Sequence, residues 1–128
     1  MAYLPTYAQL FSKDKPIADI GSETHIVRLV ETPSTKTYTI YFTNRKYEQP
    51  ISILIIDVGT RDSILSFIQN LKNVHAGHDF KGSNYEIIYG KSIVDKYQYF
   101  VYDAGRNGYF CLSAKQLQKL ENLSKNLE

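Results

Sequence analysis

Twice along this chain, a short run of apolar, strand-forming residues passes almost directly into a segment with helical periodicity. Residues 51–58 are apolar on both faces, which predicts a central strand covered on both sides. Thr60 then stands where a helix cap belongs and Asp62 in the first turn, and Ile64, Phe67, Ile68 and Leu71 recur at helical spacing. Near the end, residues 109–112 run straight into Ser113. Gln116 three residues on completes a capping box, and Leu112 is placed to staple Leu117. Leu117, Leu120, Leu123 and Leu127 form the apolar side of this second helix, with Lys119 and Ser124 on the side expected to face water. A change from period 2 to period 3.6 at two points confines the chain to mixed α+β architectures.

Each helix is preceded by further strand signals. Residues 25–30 alternate Ile26, Arg28 and Val30 against Val27 and Leu29. In residues 36–43, Tyr38, Ile40 and Phe42 point one way and Thr37, Thr39, Tyr41 and Thr43 the other. In the second half, residues 85–89 and 96–103 read as strands, joined to residues 109–112 by a turn whose Asn107-Gly108 pair is a hairpin signal. The expected fold is therefore one α+β domain of two β-β-β-α units, residues 22–74 and 84–128, forming antiparallel sheet packed against two helices. Residues 1–21 form an N-terminal arm and linker. Within them, Tyr3, Leu4, Tyr7, Leu10 and Phe11 suit a short helix, and residues 13–21, broken by Pro16, read as linker. Residues 73–84 read as a loop.

A chain of 128 residues with 43% apolar and 22% charged residues buries enough surface to fold without a staple. The single cysteine, Cys111, excludes an internal disulfide and a thiolate zinc site, and its apolar surroundings predict a buried thiol. The opening residues lack the basic start and apolar core of a signal peptide, and the longest apolar run, residues 53–56, is far too short to span a bilayer. A cytoplasmic protein without membrane contact is expected. The formal charge of +2 is small for a strong DNA binder, and the slight basic excess lies in the second half.

Most chemistry fails on residue type or spacing. His75, His78 and Asp79 share one stretch, but without a helix to align them they read as a solvated loop, and no metal or other cofactor is expected. There is no Gly-x-Ser-x-Gly elbow. Asp57 and Asp103 each end an apolar strand and could share one rim of the sheet, although strand-end acids more often form turns or cap helices. Residues 105–108 lead into a strand rather than a helix, so they lack the context of a nucleotide-binding loop. The chain is expected not to be an enzyme.

Surfaces remain. The sequence holds eleven tyrosines, six phenylalanines and no tryptophan. Tyr41 stands among threonines with Lys36, Arg45 and Lys46 nearby, and Tyr97, Tyr99 and Tyr102 stand near Lys91, Lys96 and Arg106. Tyrosine on a strand fills half-buried sites and keeps its hydroxyl wet. It is also favoured at protein interfaces, and it can stack an unpaired base while Lys and Arg follow the phosphates. The expected binding residues are Tyr41, Arg45, Lys46, Tyr97, Tyr99 and Arg106.

The order of several strands and a helix, repeated once, resembles that of the Whirly and Pur-type single-strand-binding proteins. Those pack two such units and bind single-stranded nucleic acid on the sheet. The likeness covers most of the chain and rests on element order; no motif residue carries over, and three strands per unit are read here where that class usually has four. Two readings follow. The leading one is a non-catalytic protein-binding module (an inhibitor, adaptor or subunit), for which the N-terminal segment would be a docking arm and a homodimer would cover a sheet edge. The alternative is a single-stranded DNA- or RNA-binding accessory protein.

Overall fold

The computed structural model describes residues 15–21, 25–46, 51–74, 78–91 and 97–127. The N-terminal segment 3–12 and His75 lie outside them. The chain is α+β: the described residues form two antiparallel four-stranded sheets and two α-helices. The first sheet takes β1 (Lys15–Asp19), β2 (Val27–Thr32), β3 (Thr37–Thr43) and β4 (Ile53–Gly59) in chain order, and α1 (Arg61–Asn73) follows. The second takes β5 (Phe80–Lys81), β6 (Tyr85–Lys91), β7 (Tyr97–Asp103) and β8 (Tyr109–Leu112), followed by α2 (Ala114–Ser124).

Each unit therefore has four strands, not the three expected. The expected linker contains β1, which pairs with β2 through Pro16↔Val30 and Asp19↔Arg28, with an irregularity between Pro16 and Ala18. A proline is tolerated on such an irregular edge strand because no interior ladder needs its missing donor. The expected loop 73–84 contains the two-residue β5, defined only by Phe80↔Ile87 and Lys81↔Glu86.

The alternation read in β3 holds: Tyr38, Ile40 and Phe42 are buried, and the threonines and Tyr41 face the other way. The expectation for β4 fails. It is an edge strand, and Ile53 and Ile55 are 39% and 54% exposed. The capping box at Ser113 forms in full, whereas Thr60 occupies the N-cap of α1 without a side-chain cap; its hydroxyl lies 3.3 Å from Ser63. Ser124 is buried rather than wet, and its hydroxyl donates to the Glu121 carbonyl.

The two units share one core. Phe42 of the first sheet meets Phe110 of the second at 4.8 Å between ring centroids. Each helix also braces the other unit. Phe67 of α1 sets its ring edge-on against Tyr85 of β6, and Asn70 donates to the Tyr85 hydroxyl. Gln116 and Lys119 of α2 donate to the carbonyls of Ile20 and Asp19 at the end of β1. An ion pair, Lys72–Glu121, ties helix to helix at 2.7 Å.

The sheets join where β3 ends. The Arg45 amide donates to the Tyr109 carbonyl, and the buried Asn44 side-chain oxygen accepts from the Tyr109 and Lys46 amides. This approach is close enough to require glycine at 108: a Cβ there would overlap the Asn44 carboxamide and lie 2.5 Å from Leu54 Cδ1.

Candidate functional site

Strand register fixes what each sheet shows to its outer face. On the first sheet, one row across the strands reads Asp19, Arg28, Tyr41, Ile55. Arg28 pairs with Asp19 at 3.0 Å, and Thr39 donates to Asp57 in the neighbouring row. Beside these lie Ile53 and Ile55, with Ile51, 72% exposed, just before the strand. The result is an apolar strip at the sheet margin, beside the Arg28–Asp19 pair and the Asp57 carboxylate.

The margin has open backbone as well. In an antiparallel ladder, alternate residues aim both backbone groups at the same neighbour. The Asn44 amide donates to the Ser52 carbonyl, so residues 52, 54 and 56 face β3. Residues 51, 53, 55 and 57 then face away. The Asp57 carbonyl accordingly accepts from the Asn84 side chain on the far side. The polar groups of Ile53 and Ile55 meet no backbone partner among the described residues.

The outer face of the second sheet is aromatic. Its rows are Glu86–Tyr102–Tyr109 and Ile88–Phe100–Cys111. Tyr109 lies 5.2 Å from Tyr102 and 5.8 Å from Phe100, centroid to centroid. Arg106 stands over the Tyr102 ring at 5.0 Å and forms an ion pair with Glu86. That hydrogen bond to Glu86 raises the guanidinium pKa further above its usual value. Arg45 approaches the same face from the junction, close enough to act on the Cys111 thiol. Burial still pushes that thiol up, with Arg45 acting against it. Cys111 is thus the buried thiol expected.

The six expected residues do not form one cluster. Tyr41 lies on the first sheet. Arg45 and Lys46 lie at the junction, both exposed, and Arg106 lies at the far rim of the second sheet. Tyr97 and Tyr99 sit on the opposite face of β7 from Tyr102. There Tyr99 packs against the core, and burial raises its hydroxyl pKa. Tyr97, half exposed, stacks on Tyr89 at 5.2 Å beneath Lys91.

Three isoleucines and the rings of Phe100 and Tyr109, which complete a trio with the Tyr102 already named, were missed by the sequence reading. For the isoleucines a signal existed: Asp57 shares the alternation of Ile53 and Ile55, and a carboxylate on that face marks it as wet.

Asp57 and Asp103 do line one cleft of about 230 Å³, with Ile55, Asn84 and Ala104. Yet Asp103 gives one oxygen to the Gly108 amide and the other to the Asn107 side chain, so it builds the turn. A paired-carboxylate mechanism needs both groups turned toward substrate. No group of three metal-binding side chains occurs among the described residues, and no helix is long and apolar enough to cross a membrane. His78 and Asp79 lie before β5, where Asp79 acts electrostatically on Arg106. Comparisons with protein families, curated proteins and solved structures find no match to this chain.

Proposed function

We propose that the protein is a non-catalytic binding module that docks a protein partner along the outer margin of its first sheet. The observation that carries this is the strip of Ile51, Ile53 and Ile55, exposed by 72%, 39% and 54%, on an edge strand whose outward backbone at Ile53 and Ile55 meets no backbone partner among the described residues. Exposed apolar side chains in a row mark an interaction surface, and an open edge supplies main-chain hydrogen bonds to an incoming extended segment. Tyr41, beside Ile55 in register, supplies a flat amphipathic ring at the same place.

Selection of displayed linear peptides on the immobilised protein tests this. Extended sequences with alternate apolar residues should be enriched, and Ile55→Lys should abolish their capture. Equal capture by the variant, or no enrichment at all, refutes the reading.

A second reading, single-stranded nucleic acid binding, is favoured by one separate observation. The second sheet sets Phe100, Tyr102 and Tyr109 between Arg45 and Arg106, which suits unpaired bases and phosphates. Anisotropy titrations with labelled single strands at low and near-physiological salt test it. Salt-sensitive binding that falls with Tyr102→Ala supports it; flat curves remove it.

A further inference from the structure

We propose that the partner docked on β4 is a second copy of this chain, joined edge to edge and antiparallel about a two-fold axis at Ile53. This rests on the protein-docking reading above and names its partner.

Proteins protect sheet edges because open strands recruit other chains, and the other edge strands described here are engaged at a terminal residue or are very short. At β1, Lys119 donates to the Asp19 carbonyl. At β8, the Tyr109 amide and carbonyl are both taken up by Asn44 and Arg45. β5 is only two residues long. Among the described residues, β4 alone combines seven residues of length with outward groups, at Ile53 and Ile55, that meet no backbone partner, and apolar side chains beside it.

The open stretch also sets the register. Asn84 closes the edge at Asp57, so pairing is confined to residues 51–55. An antiparallel copy centred on Ile53 then sets Ile53 opposite its equivalent and Ile51 opposite Ile55. Such an isologous contact is what two-fold symmetry demands, and it opposes no like charges. The ends match too. Arg45 and Lys46 follow β3 beside the start of β4, whereas Asp57 lies near its end, and an antiparallel copy brings the basic end of one chain to the acidic end of the other.

Sedimentation equilibrium across a dilution series, paired with cross-linking, tests the proposal. The wild-type chain should approach twice its 14.7 kDa mass as concentration rises, and Ile53→Lys, which would oppose two ammonium groups at the axis, should remain monomeric. In a Cys111→Ser background, Ile53→Cys should form a disulfide-linked dimer under mild oxidation. Directly paired residues lie about 5.5 Å apart at Cα, within the range a disulfide spans. Leu65→Cys, 38% exposed on α1, should not cross-link. A cooperative circular dichroism melt with the wild-type folded spectrum shows that each variant folds, since Ile53 lies outside the core.

A monomer at every concentration overturns the proposal, as does a dimer that survives Ile53→Lys and fails to cross-link through Ile53→Cys. Either result leaves the docking reading standing if peptide capture still depends on Ile55. Loss of both fells both.

Discussion

Replacing Gly108 by alanine should destabilise the protein by far more than one methyl group suggests. Two of the glycines have left-handed backbone, Gly59 and Gly105; Gly108 does not, so its requirement is for space rather than conformation. An added Cβ meets the Asn44 carboxamide and, at 2.5 Å, the Leu54 side chain. The carboxamide cannot retreat without leaving the Tyr109 and Lys46 amides, at 3.3 and 2.9 Å. Losing two such bonds costs about 1 kcal/mol each, and overfilling a packed junction adds about 1–3 kcal/mol. We expect about 3–5 kcal/mol in all. Urea unfolding at equilibrium measures it, with Gly90→Ala as the control, because nothing lies within 4 Å of a Cβ at that position. Asn44→Ala should also destabilise, by stranding the two amides. The double variant should lose less than the sum, because the clash and the bonds involve the same side chain. A Gly108→Ala cost below about 1 kcal/mol, or strict additivity, would show that the junction yields freely and that this account of it is wrong.

Three further outcomes are expected. Phe42→Ala, which removes a fully buried ring from its contact with Phe110, should cost about 3–5 kcal/mol in the same assay. Ser113→Ala, which removes the hydroxyl that accepts from the Gln116 amide and leaves only the backbone half of the capping box on α2, should cost about 1 kcal/mol, and Ser113→Thr should restore most of it. Burial and the nearby Arg45 lower the His25 pKa from 6.5, so the unfolded chain binds the proton more readily than the folded one. Its neutral imidazole contributes stability above pH 6.5 that is lost as pH falls through the folded-state value, and His25→Gln should flatten the stability profile in that window.

The parts legible in sequence are those whose cause is local. The helices announce themselves through leucine and phenylalanine spacing. The Ser113–Gln116 box is a three-residue relation, and Tyr38, Ile40 and Phe42 share a face by alternation alone. What was not legible depends on distant neighbours. β5 has no period to read at two residues and exists because β6 lies alongside. β1 hides behind Pro16, whose cost vanishes only at an irregular sheet edge. β4 looks central because isoleucine fills both faces, and only the strand order shows that no further described strand pairs beyond it. The tyrosines divide for the same reason. Residues 97 and 102 are near in sequence, but odd spacing on a strand sends them to opposite faces. The Asn107-Gly108 hairpin signal is likewise displaced: the left-handed residues are Gly105 and Arg106, and Asp103 closes the turn onto Gly108.

The crossing of the helices has a consequence for how the chain comes apart. Tyr85 is held by side chains of α1, and the end of β1 by side chains of α2. Each helix packs on its own sheet and also holds the other unit, so neither half closes its core alone. Hydrogen exchange should find the slowest amides of β3 and β7 opening together, in one event, even though the strands belong to separate sheets. A chain cut between Val74 and His78 should yield two pieces that are each unstructured alone and regain shape only when mixed, as two half-clasps do when each carries the other's pin.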